Sequence, residues 1–490
     1  MRRAVEIGLA VALLLTGCSA IGGTPAPVDR AGPRGPNVVV IVTDDQTLAE
    51  MRWMPRTRHL IGDVGVTFTQ FLANHPSCCP ARAQLLTGQY AQNNGVRANG
   101  GRLGGYPRFS PGTALPVWLQ QAGYTTGLIG KYLNGYRPSG PEPGWDTFDV
   151  TVDGLYRYRG FTQYDGRTET TPPGHHTTYV RDRSADFLTA RAQDGAPFLL
   201  ISSYVAPHQV CPAEGACTAP PIPIPRDRGR HRDVVPPVLA SPSLREVSRP
   251  AVRPRLAEDG VLSRRALLRL ARARLDALTG VDQAVAATIT RLRDLDLLQD
   301  TVVVFTSDNG FLFGEHRLVG KDVGYEEALR VPFLVRGPGV RRDATTPTIA
   351  AGIDLAPTIA ELTGATPLVD VDGVSLVPQL RDPGPAVERS ILLQGGILGP
   401  DLAGRGWEWR GVRTRRYTLL AWARGGLELY DRRRDRFEMR NLADDPRYAA
   451  VLEALLARLT ELGSCAGATC RPDETPLPLP DVLVARPLPG

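Results

Sequence analysis

The chain has 490 residues, of which 22% are charged and 42% are hydrophobic, and its formal net charge is +6. These values are ordinary for globular proteins and exclude a disordered or fibrous chain. The positive charge is spread along the chain without a basic motif interleaved with aromatic residues, so we expect no nucleic acid partner. Only two of the 57 basic residues are lysines, Lys131 and Lys321.

The first 18 residues have the features of an export signal. A basic start is followed by an apolar stretch from Ile7 to Leu15, which is too short to span a bilayer comfortably. The stretch ends in the sequence LTGC, which resembles the bacterial lipoprotein signal, in which the cysteine, here Cys18, is lipidated. A plain secretory signal is the alternative. We predict a signal over 1–18, a flexible tether over 19–35, and an exported protein held by its lipid at the outer face of the bacterial cytoplasmic membrane.

Five short apolar runs predict buried β-strands, most of them without alternation, as in parallel strands covered on both faces. They are Asn37–Val42, Thr126–Ile129, Pro197–Ser202, Thr301–Thr306 and Val331–Val335. Helical patterns lie between them, at Arg82–Gln92, Leu115–Ala122, Ser263–Leu298 and Asp354–Leu362. This alternation predicts an α/β domain over 36–375, with a large, mainly parallel sheet between layers of helices.

The pattern changes after residue 375. Two strands, Trp409–Trp422 and Leu427–Asp431, and a helix, Pro446–Leu462, predict a small antiparallel sheet plus helix. We assign this subdomain to 376–471 and an extended tail, rich in Pro and Leu, to 472–490. Residues 209–262 hold many prolines and few helix signals, and so long a loop in a compact domain is usually functional.

Four of the seven cysteines form two closely spaced pairs, Cys211 with Cys217 and Cys465 with Cys470. In an oxidising compartment each pair could close a small loop. Metal binding is the alternative, but neither pair has a second CxxC or a histidine cluster beside it. We therefore predict two disulfide bonds.

Polar residues follow four of the predicted strands, at the edge where open α/β sheets bind ligands. They are Asp44 and Asp45 after the first strand, Lys131 after the second, His208 after the third, and Asp308 and Asn309 after the fourth, with Lys321 further along. Carboxylate and amide oxygens suit a hard divalent cation such as Ca²⁺ or Mg²⁺. Two lysines and a histidine suit an anion beside that metal, which indicates hydrolysis of a phosphate or sulfate ester.

A cysteine motif supplies the candidate nucleophile. Pro80 suits the first turn of a helix, so Cys78, just ahead of it, is expected at the positive helix end. The pattern Cys78-x-Pro80-x-Arg82, followed by LTG at 86–88, resembles the signature of type I sulfatases of the alkaline-phosphatase-like superfamily. The resemblance extends from about residue 36 to residue 471. It implies a sulfuric ester hydrolase with an alkaline-phosphatase-like fold.

The resemblance also implies the chemistry of the site. A formylglycine-generating enzyme would oxidise Cys78 to Cα-formylglycine (3-oxoalanine), whose hydrate attacks sulfur with one hydroxyl and releases sulfate through the other. An unmodified cysteine could not perform that second step. The resemblance implies that Ca²⁺, with Mg²⁺ as the alternative, is bound by Asp44, Asp45, Asp308, Asn309 and residue 78. It further implies that Arg82 stabilises the hydrate and that the sulfate oxygens are held by Lys131 and Lys321. His208 would assist the leaving group.

The chain departs from the family pattern after the second strand. Many sulfatases have the sequence GKWH there, whereas this chain has GKYLN at 130–134. We nominate Asn134 or His316 to replace the absent histidine. The GKYLN sequence, the cysteine doublet and the Pro- and Arg-rich insert containing His231 are similar to the N-acetylglucosamine-6-sulfatase branch. That similarity implies a substrate such as a glycan with 6-sulfated N-acetylglucosamine.

Two other functions fit part of the pattern. A phosphodiester or phosphonate ester hydrolase of the same superfamily would use the same acids. Of the 7 histidines, however, only His208 and His316 fall near the motifs, so a two-zinc phosphatase site is poorly supplied. A non-catalytic, glycan-binding lipoprotein is the second alternative, and it predicts that Cys78→Ala leaves the biological role intact.

Overall fold

The structure is a computed structural model that describes residues 35–211, 217–245, 263–396, 406–471 and 475–480. The predicted signal with Cys18, nearly all of the predicted tether, and most of the predicted tail lie outside the described residues. Within the described ranges, no helix is both long enough and apolar enough to cross a membrane.

The described residues form strands and helices in alternation. The strands are β1 Asn37–Thr43, β2 Val66–Leu72, β3 Thr125–Gly130, β4 Thr147–Asp153, β5 Thr162–Tyr164, β6 Glu169–Thr170, β7 Phe198–Ser203, β8 Thr301–Ser307, β9 Leu312–Phe313, β10 Val319–Gly320, β11 Phe333–Arg336, β12 Ala344–Ala351, β13 Ile391–Gly395, β14 Trp409–Arg413, β15 Tyr417–Trp422 and β16 Leu427–Asp431. The helices are α1 Pro55–Thr57, α2 Cys78–Thr87, α3 Ala91–Asn94, α4 Leu115–Gln121, α5 His176–Asp194, α6 Arg264–Asp294, α7 Glu326–Leu329, α8 Leu355–Thr363, α9 Val377–Arg381 and α10 Ala449–Ser464.

A ten-stranded sheet is the centre of the fold, in the order β12-β2-β11-β8-β1-β7-β3-β4-β5-β6. Strands β8, β1, β7, β3 and β4 run parallel to their neighbours within this group. Strand β11 is antiparallel to both β8 and β2, so β2 and β12 run in the same direction as the central group. The prediction of a large, mainly parallel, mixed sheet is confirmed, and its carboxyl ends meet at one edge.

Alternate residues of the central strands pack on opposite faces of the sheet. In β1, Val38, Val40 and Val42 join one apolar cluster with residues of α2, α4 and α8. Val39 and Ile41 join a second cluster with residues of α5 and α6. All seven residues of β1 are buried, because helices cover both faces, and this explains its unbroken apolar sequence.

The C-terminal region forms a four-stranded antiparallel sheet, β13-β14-β15-β16, with α10 against it. The predicted single strand Trp409–Trp422 was wrong in one respect, since it is a hairpin of two strands. The chain reverses where Thr414 N donates to Tyr417 O at 2.9 Å. Apolar residues of this sheet share a cluster with Leu72 and Ile349 of the large sheet.

Other elements differ from the sequence prediction in extent or direction. The predicted strand Val331–Val335 is β11, which is antiparallel and not parallel. Strand β2 was missed because its residues alternate between apolar and polar and give no continuous apolar run. The helix predicted from Arg82 begins four residues earlier, and it ends at Gly88, whose φ of 68° is left-handed.

Both predicted disulfide bonds are present. The sulfur atoms of Cys211 and Cys217 lie 1.98 Å apart, and those of Cys465 and Cys470 lie 2.00 Å apart. The long predicted loop 209–262 is described over 217–245, where short 3-10 turns occur. The remaining cysteines of the described residues, Cys78 and Cys79, are free and buried.

Candidate active site

The acidic part of the site comes from two neighbouring strands. Thr43 and Ser307 pair at the carboxyl ends of β1 and β8, so the residues that follow them lie side by side. Asp45 N donates to Asp308 Oδ1 at 3.1 Å, and Asn309 Nδ2 donates to Asp45 Oδ1 at 2.7 Å. The register of two parallel strands therefore gathers the predicted carboxylates and the amide at one place.

Cys78 is the first residue of α2 and is only 1% exposed. Its Sγ lies 3.2 Å from Asp44 Oδ1 and 2.6 Å from Lys321 Nζ. The chain reaches this position from the carboxyl end of β2, at the same edge of the sheet as β1 and β8. Burial raises the pKa of the Cys78 thiol well above its usual range, so the unmodified side chain is not a thiolate nucleophile at neutral pH.

Each of the two lysines of the chain contacts one of the adjacent aspartates. Lys131 Nζ contacts the Asp44 carboxylate, and Lys321 Nζ contacts the Asp45 carboxylate. The side chain of Lys131 is 1% exposed and that of Lys321 is 12% exposed. Although burial opposes it, Asp44 raises the pKa of Lys131, so this lysine is charged. Two ammonium groups beside Cys78 can hold a tetrahedral anion.

His208 presents one ring nitrogen to the site. Its Nδ1 lies 2.7 Å from Gln209 O, an acceptor, so Nδ1 must carry a proton. Its Nε2 lies 3.5 Å from Asp45 Oδ2 and is the nitrogen that can exchange a proton with a ligand. Burial lowers the pKa of His208, which favours the neutral imidazole.

Arg82 ties three strand ends together from the second turn of α2. Its Nε donates to Asp308 Oδ2 at 2.8 Å, and its Nη1 donates to Ser203 Oγ at 2.6 Å and to Lys131 O at 3.1 Å. Its Nη2 is buried without a hydrogen-bond partner among the described residues. Arg82 therefore fixes the geometry of the site and still has one donor available.

The oxygen donors fit a hard cation. Burial, together with the neighbouring Asp44 carboxylate, raises the pKa of Asp308 to about 6, as expected when carboxylates crowd without enough positive charge. Asn309 Oδ1 is buried and accepts no hydrogen bond from the described residues. Ligand atoms of Asp44, Asp45, Cys78 and His208 lie within 4.8 Å of one another. A Ca²⁺ or Mg²⁺ ion would satisfy these oxygens.

The two residues nominated to replace the absent histidine lie in different surroundings. Asn134 Nδ2 donates to Tyr156 OH at 3.2 Å. The ring of Tyr156 stacks on His208 at 4.2 Å and lies 5.0 Å from Lys131 Nζ. His316 stacks on Tyr325 at 4.2 Å, and its Nε2 lies 3.8 Å from Glu327 Oε2. Asn134 is thus connected to the lysine and histidine of the site through Tyr156.

Tyr156 was not identified from the sequence. It belongs to the loop after β4, a strand that was itself not predicted, and a lone tyrosine in a loop carries no signal. Burial raises the pKa of its hydroxyl to about 12, so the tyrosine is neutral. Its hydroxyl accepts a hydrogen bond from Asn134, and its ring lies against His208. Tyr156 lies in the segment that connects β4 to β5.

Arg274 was also missed, although the sequence holds a signal for it. This arginine lies on the apolar stripe of α6, seven residues after Leu267, and its side chain is fully buried. It donates to Asp45 O at 2.5 Å and Pro207 O at 3.3 Å, and it forms two 2.8 Å hydrogen bonds with Glu50. Arg274 therefore holds the Asp45 loop and the His208 loop together. A charged residue on an apolar helical face could have indicated such a role.

Two family models match the chain. One, described as Sulfatase, matches residues 36–365, and the other, described as N-sulphoglucosamine sulphohydrolase, C-terminal, matches residues 314–464. The first covers the strands and motifs that build the site, from β1 to the end of α8.

Curated relatives cover much of the chain. An arylsulfatase of Volvox carteri is 30% identical, over 94% of this chain and 79% of the relative. The N-acetylglucosamine-6-sulfatase of Homo sapiens is 29% identical, over 78% of this chain and 70% of the relative. An extracellular sulfatase SULF-1 homologue of Drosophila melanogaster is 32% identical, over 72% of this chain and 32% of the relative.

Solved structures share the fold. BT4656, in complex with its substrate D-glucosamine-2-N,6-O-disulfate, aligns over 87% of this chain and 97% of that chain, with a TM-score of 0.74 and 22% identity. A phosphonate monoester hydrolase of Agrobacterium radiobacter aligns over 88% of this chain and 95% of that chain, with a TM-score of 0.65 and 21% identity. At these identities the likeness concerns the fold alone.

Proposed function

The chain belongs to the sulfatase family and is an enzyme of sulfate ester hydrolysis, and from this premise we propose that it acts on a sulfated glycan through a formylglycine formed from Cys78. One observation carries the proposal. Cys78 lies at the start of α2, where its Sγ meets both the Lys321 ammonium and the Asp44 carboxylate. A buried thiol with a raised pKa is a poor nucleophile there, whereas an aldehyde hydrate at the same position carries two hydroxyl groups.

The modification requires a partner that the cell must provide. A formylglycine-generating enzyme would act on the intact Cys-x-Pro-x-Arg motif, at residues 78–82. The hydrate would supply one hydroxyl to attack sulfur and a second hydroxyl through which sulfate leaves. The neighbouring Cys79 is buried in the apolar cluster on the α2 face of the sheet, where it packs in the core.

A divalent cation, Ca²⁺ or Mg²⁺, would lie among the oxygens of Asp44, Asp45, Asp308 and Asn309, with residue 78 beside it. When bound, it would polarise the sulfate and favour the anionic form of the nucleophile. Asn309 Oδ1, which has no partner among the described residues, supports this assignment. Arg82 keeps Asp308 in place through its 2.8 Å hydrogen bond.

The remaining side chains divide the other tasks. Lys131 and Lys321 each have three N–H donors, so each can keep its aspartate contact and also donate to a sulfate oxygen. His208 would act as the imidazolium, the form that the neighbouring Asp45 carboxylate favours. Its Nε2–H would hydrogen-bond the ester oxygen and pass that proton to the departing alcohol, while Gln209 O accepts from Nδ1–H. Arg82 Nη2 is the donor available to the hydrate. Stabilisation of developing charge by such fixed groups is the main source of rate enhancement.

The proposed substrate class is a glycan that carries 6-sulfated N-acetylglucosamine. The name of the human relative and the substrate of BT4656, a glucosamine disulfate, support this class. Tyr156 brings the segment between β4 and β5 against His208, which gives that segment access to the alcohol side of the ester.

We also propose that the protein is exported and anchored by a lipid on Cys18. That residue lies outside the described part of the chain. The extracellular relative and the two disulfide bonds support an oxidising compartment.

The test uses matched esters and a mass measurement. The protein is produced with a formylglycine-generating enzyme, and kcat/KM is compared for 4-nitrophenyl sulfate, 4-nitrophenyl phosphate and a 4-nitrophenyl phosphonate. We expect the sulfate to be the best substrate, and the tryptic peptide from His59 to Arg82 to have the mass of an aldehyde at residue 78. An unmodified thiol in fully active protein would contradict the mechanism.

Metal dependence is tested on the same preparation. Dialysis against a chelator should lower turnover at least about tenfold, and Ca²⁺ or Mg²⁺ should restore it, because a metal ion contributes several kcal/mol to charge stabilisation. Full activity after complete metal removal, confirmed by elemental analysis, would show that the acidic cluster works without a cation.

Hydrolysis of a phosphodiester or phosphonate ester remains the alternative within the superfamily. The fold of the phosphonate monoester hydrolase is shared, and the acids would serve equally well. Among the described residues, the acidic metal-type group contains one histidine, His208, which is too few for a two-zinc site. A higher kcat/KM for the phosphonate than for the sulfate would favour this alternative.

A further inference from the structure

A basic loop lies against the start of α2. The loop runs from Val96 to Gly105, and it contacts the nucleophile motif twice. His75 Nε2 lies 3.1 Å from Arg97 O, and Cys79 N donates to Asn99 Oδ1 at 2.8 Å. His75 precedes Cys78 by three residues, a distance of at most about 11 Å along the chain. The loop is therefore beside the reacting position.

Two arginines meet at one tryptophan beside this loop. The guanidinium carbon of Arg97 lies 5.1 Å from the ring centroid of Trp407, and that of Arg410 lies 4.7 Å from it. The ring of His75 is 6.1 Å from the same tryptophan. Trp407 is only 7% exposed, while both arginines remain partly exposed. Cation–π contacts to one buried ring orient both guanidinium groups.

The arginine pair has no acidic partner among the residues that the structure describes. Arg410 donates to two neutral acceptors, Gly463 O at 3.0 Å and Gln92 Oε1 at 3.2 Å. Neither Arg97 nor Arg410 forms an ion pair with a carboxylate of the described residues. The sequence also holds no Asp or Glu between Asp63 and Glu142, although this stretch includes six Lys and Arg residues: Arg82, Arg97, Arg102, Arg108, Lys131 and Arg137.

This arrangement is electrostatically unfavourable without an anion. Burial and the neighbouring Arg97 lower the pKa of Arg410 to about 10, and burial and Arg108 lower the pKa of Arg97. The buried Arg274, by contrast, has a carboxylate partner in Glu50. Arginine binds sulfate and carboxylate groups through two parallel N–H donors, so an anion placed at this pair would gain charge-assisted hydrogen bonds.

We propose that Arg97 and Arg410, oriented by Trp407, form a subsite for a second anionic group of the substrate, a sulfate or a uronate carboxylate on the same glycan whose sulfate ester lies at residue 78. The inference rests on the proposed function and deepens it, because it assigns a polyanionic glycan as the substrate class. The loop from Val96 to Gly105 would then bind substrate as well as pack on α2.

The experiment compares substrates with and without the second anion. The substrates are glucosamine-6-O-sulfate, glucosamine-2-N,6-O-disulfate, a uronic acid linked to glucosamine-6-O-sulfate, and 4-nitrophenyl sulfate as the reference. Arg97→Gln and Arg410→Gln are expected to lower kcat/KM for a substrate with a second anion about tenfold more than for the reference, since one charge-assisted hydrogen bond is lost. The substrate with the larger loss distinguishes sulfate from carboxylate.

Two further variants complete the design. Arg342→Gln removes an exposed arginine from the turn between β11 and β12, at the opposite edge of the sheet, and should leave every ratio unchanged. Arg97→Lys keeps the charge without the fork and should lose less than Arg97→Gln. Thermal unfolding of each variant identifies any that fails to fold, and Arg410→Gln then provides the independent test.

The outcomes separate the subsite from the proposed function. Equal losses for all four substrates, or no change in the ratios for both glutamine variants, would overturn the subsite while the sulfatase assignment stands. A wild-type enzyme that cleaves 4-nitrophenyl sulfate, but neither cleaves nor is inhibited by any of the glucosamine sulfates, would overturn the glycan substrate class and the subsite with it.

Discussion

Two buried networks of charge in this protein use the same kinds of groups for different ends. The first, which we name the catalytic edge after the proposed function, is formed by Asp44, Asp45, Asp308, Arg82, Lys131 and Lys321. The second, which we call the arginine joint, links α7 to the small sheet and consists of Arg330, Arg413, Arg432, Glu326 and Glu438. Both lie between packed elements, and both place carboxylates against cations.

The carboxylates of the arginine joint all have partners within the joint or next to it. Glu326 accepts a 2.8 Å hydrogen bond on each oxygen, from Arg330 and from Arg413. Glu438 accepts from Thr418 at 2.7 Å and from the backbone of Glu326 at 3.0 Å. Although burial opposes it, Arg413 and Arg432 lower the pKa of Glu326. Every carboxylate oxygen in the joint has a partner, as a structural network requires.

The catalytic edge is open by comparison. Asn309 Oδ1 and Arg82 Nη2 have no hydrogen-bond partner among the described residues. The pKa of Asp308 is raised to about 6 by burial and Asp44, which is the mark of negative charge that is not fully compensated. Lysine, a compact point charge, replaces the arginine fork here. Arg330 Nε and Arg432 Nε of the joint also lack hydrogen-bond partners among the described residues, so the difference between the networks lies in the acceptors. An unsatisfied buried oxygen, together with compact lysines, marks the place where a cation and an anion would complete the network.

The largest expected effect comes from removing Cys78, the source of the proposed nucleophile. Cys78→Ala should lower kcat for 4-nitrophenyl sulfate by about 10⁴-fold or more, because no covalent step is then possible. Steady-state kinetics with a sensitive fluorogenic ester measures this loss. Cys79→Ala is the matched control, since the adjacent cysteine is equally buried and packs in the core. Loss of activity in Cys79→Ala, without loss of stability, would mean that the assignment of the nucleophile to Cys78 is wrong.

Exchanging the cation type at the catalytic edge should have the next largest effect. Lys131→Arg and Lys321→Arg each keep the charge but place a larger, forked group against Asp44 or Asp45. We expect kcat/KM to fall about 10²-fold in each variant, as for the loss of one electrostatic contact in the transition state. The unfolding temperature should change little. Rates like those of the wild type in both variants would mean that lysine is not required at this edge.

The reverse exchange at the joint should affect stability and not catalysis. Arg413→Lys leaves one ammonium where a fully buried guanidinium contacts Glu326 and Glu438. We expect the free energy of unfolding to fall by about 2–4 kcal/mol, because a buried network loses hydrogen bonds. Urea denaturation measures the loss, and kcat/KM at 25 °C serves as the control. A large fall in kcat/KM without loss of stability would show that the two networks are coupled.

The sequence predicted the centre of the fold better than its borders. Unbroken apolar runs such as β1 and β8 are visible because helices cover both faces of the sheet. Strand β2 alternates, and the turn between β14 and β15, at residues 414–416, contains neither glycine nor proline, so neither was recognised. Direction was also hidden, since nothing in the sequence of β11 distinguishes an antiparallel strand from a parallel one.

By itself, the sequence determined the family of the enzyme and predicted the class of its site. Asp44, Asp45, Asp308, Asn309, both lysines and His208 follow predicted strands, and their residue types restrict the chemistry to an anion beside a hard cation. Only the tertiary structure decided which further side chains contact the site or lie beside it. Tyr156 against His208, Arg274 across two loops, and the pairing of Arg97 with Arg410 join residues far apart in the chain. Such contacts depend on packing and loop conformation, which strand and helix patterns do not encode.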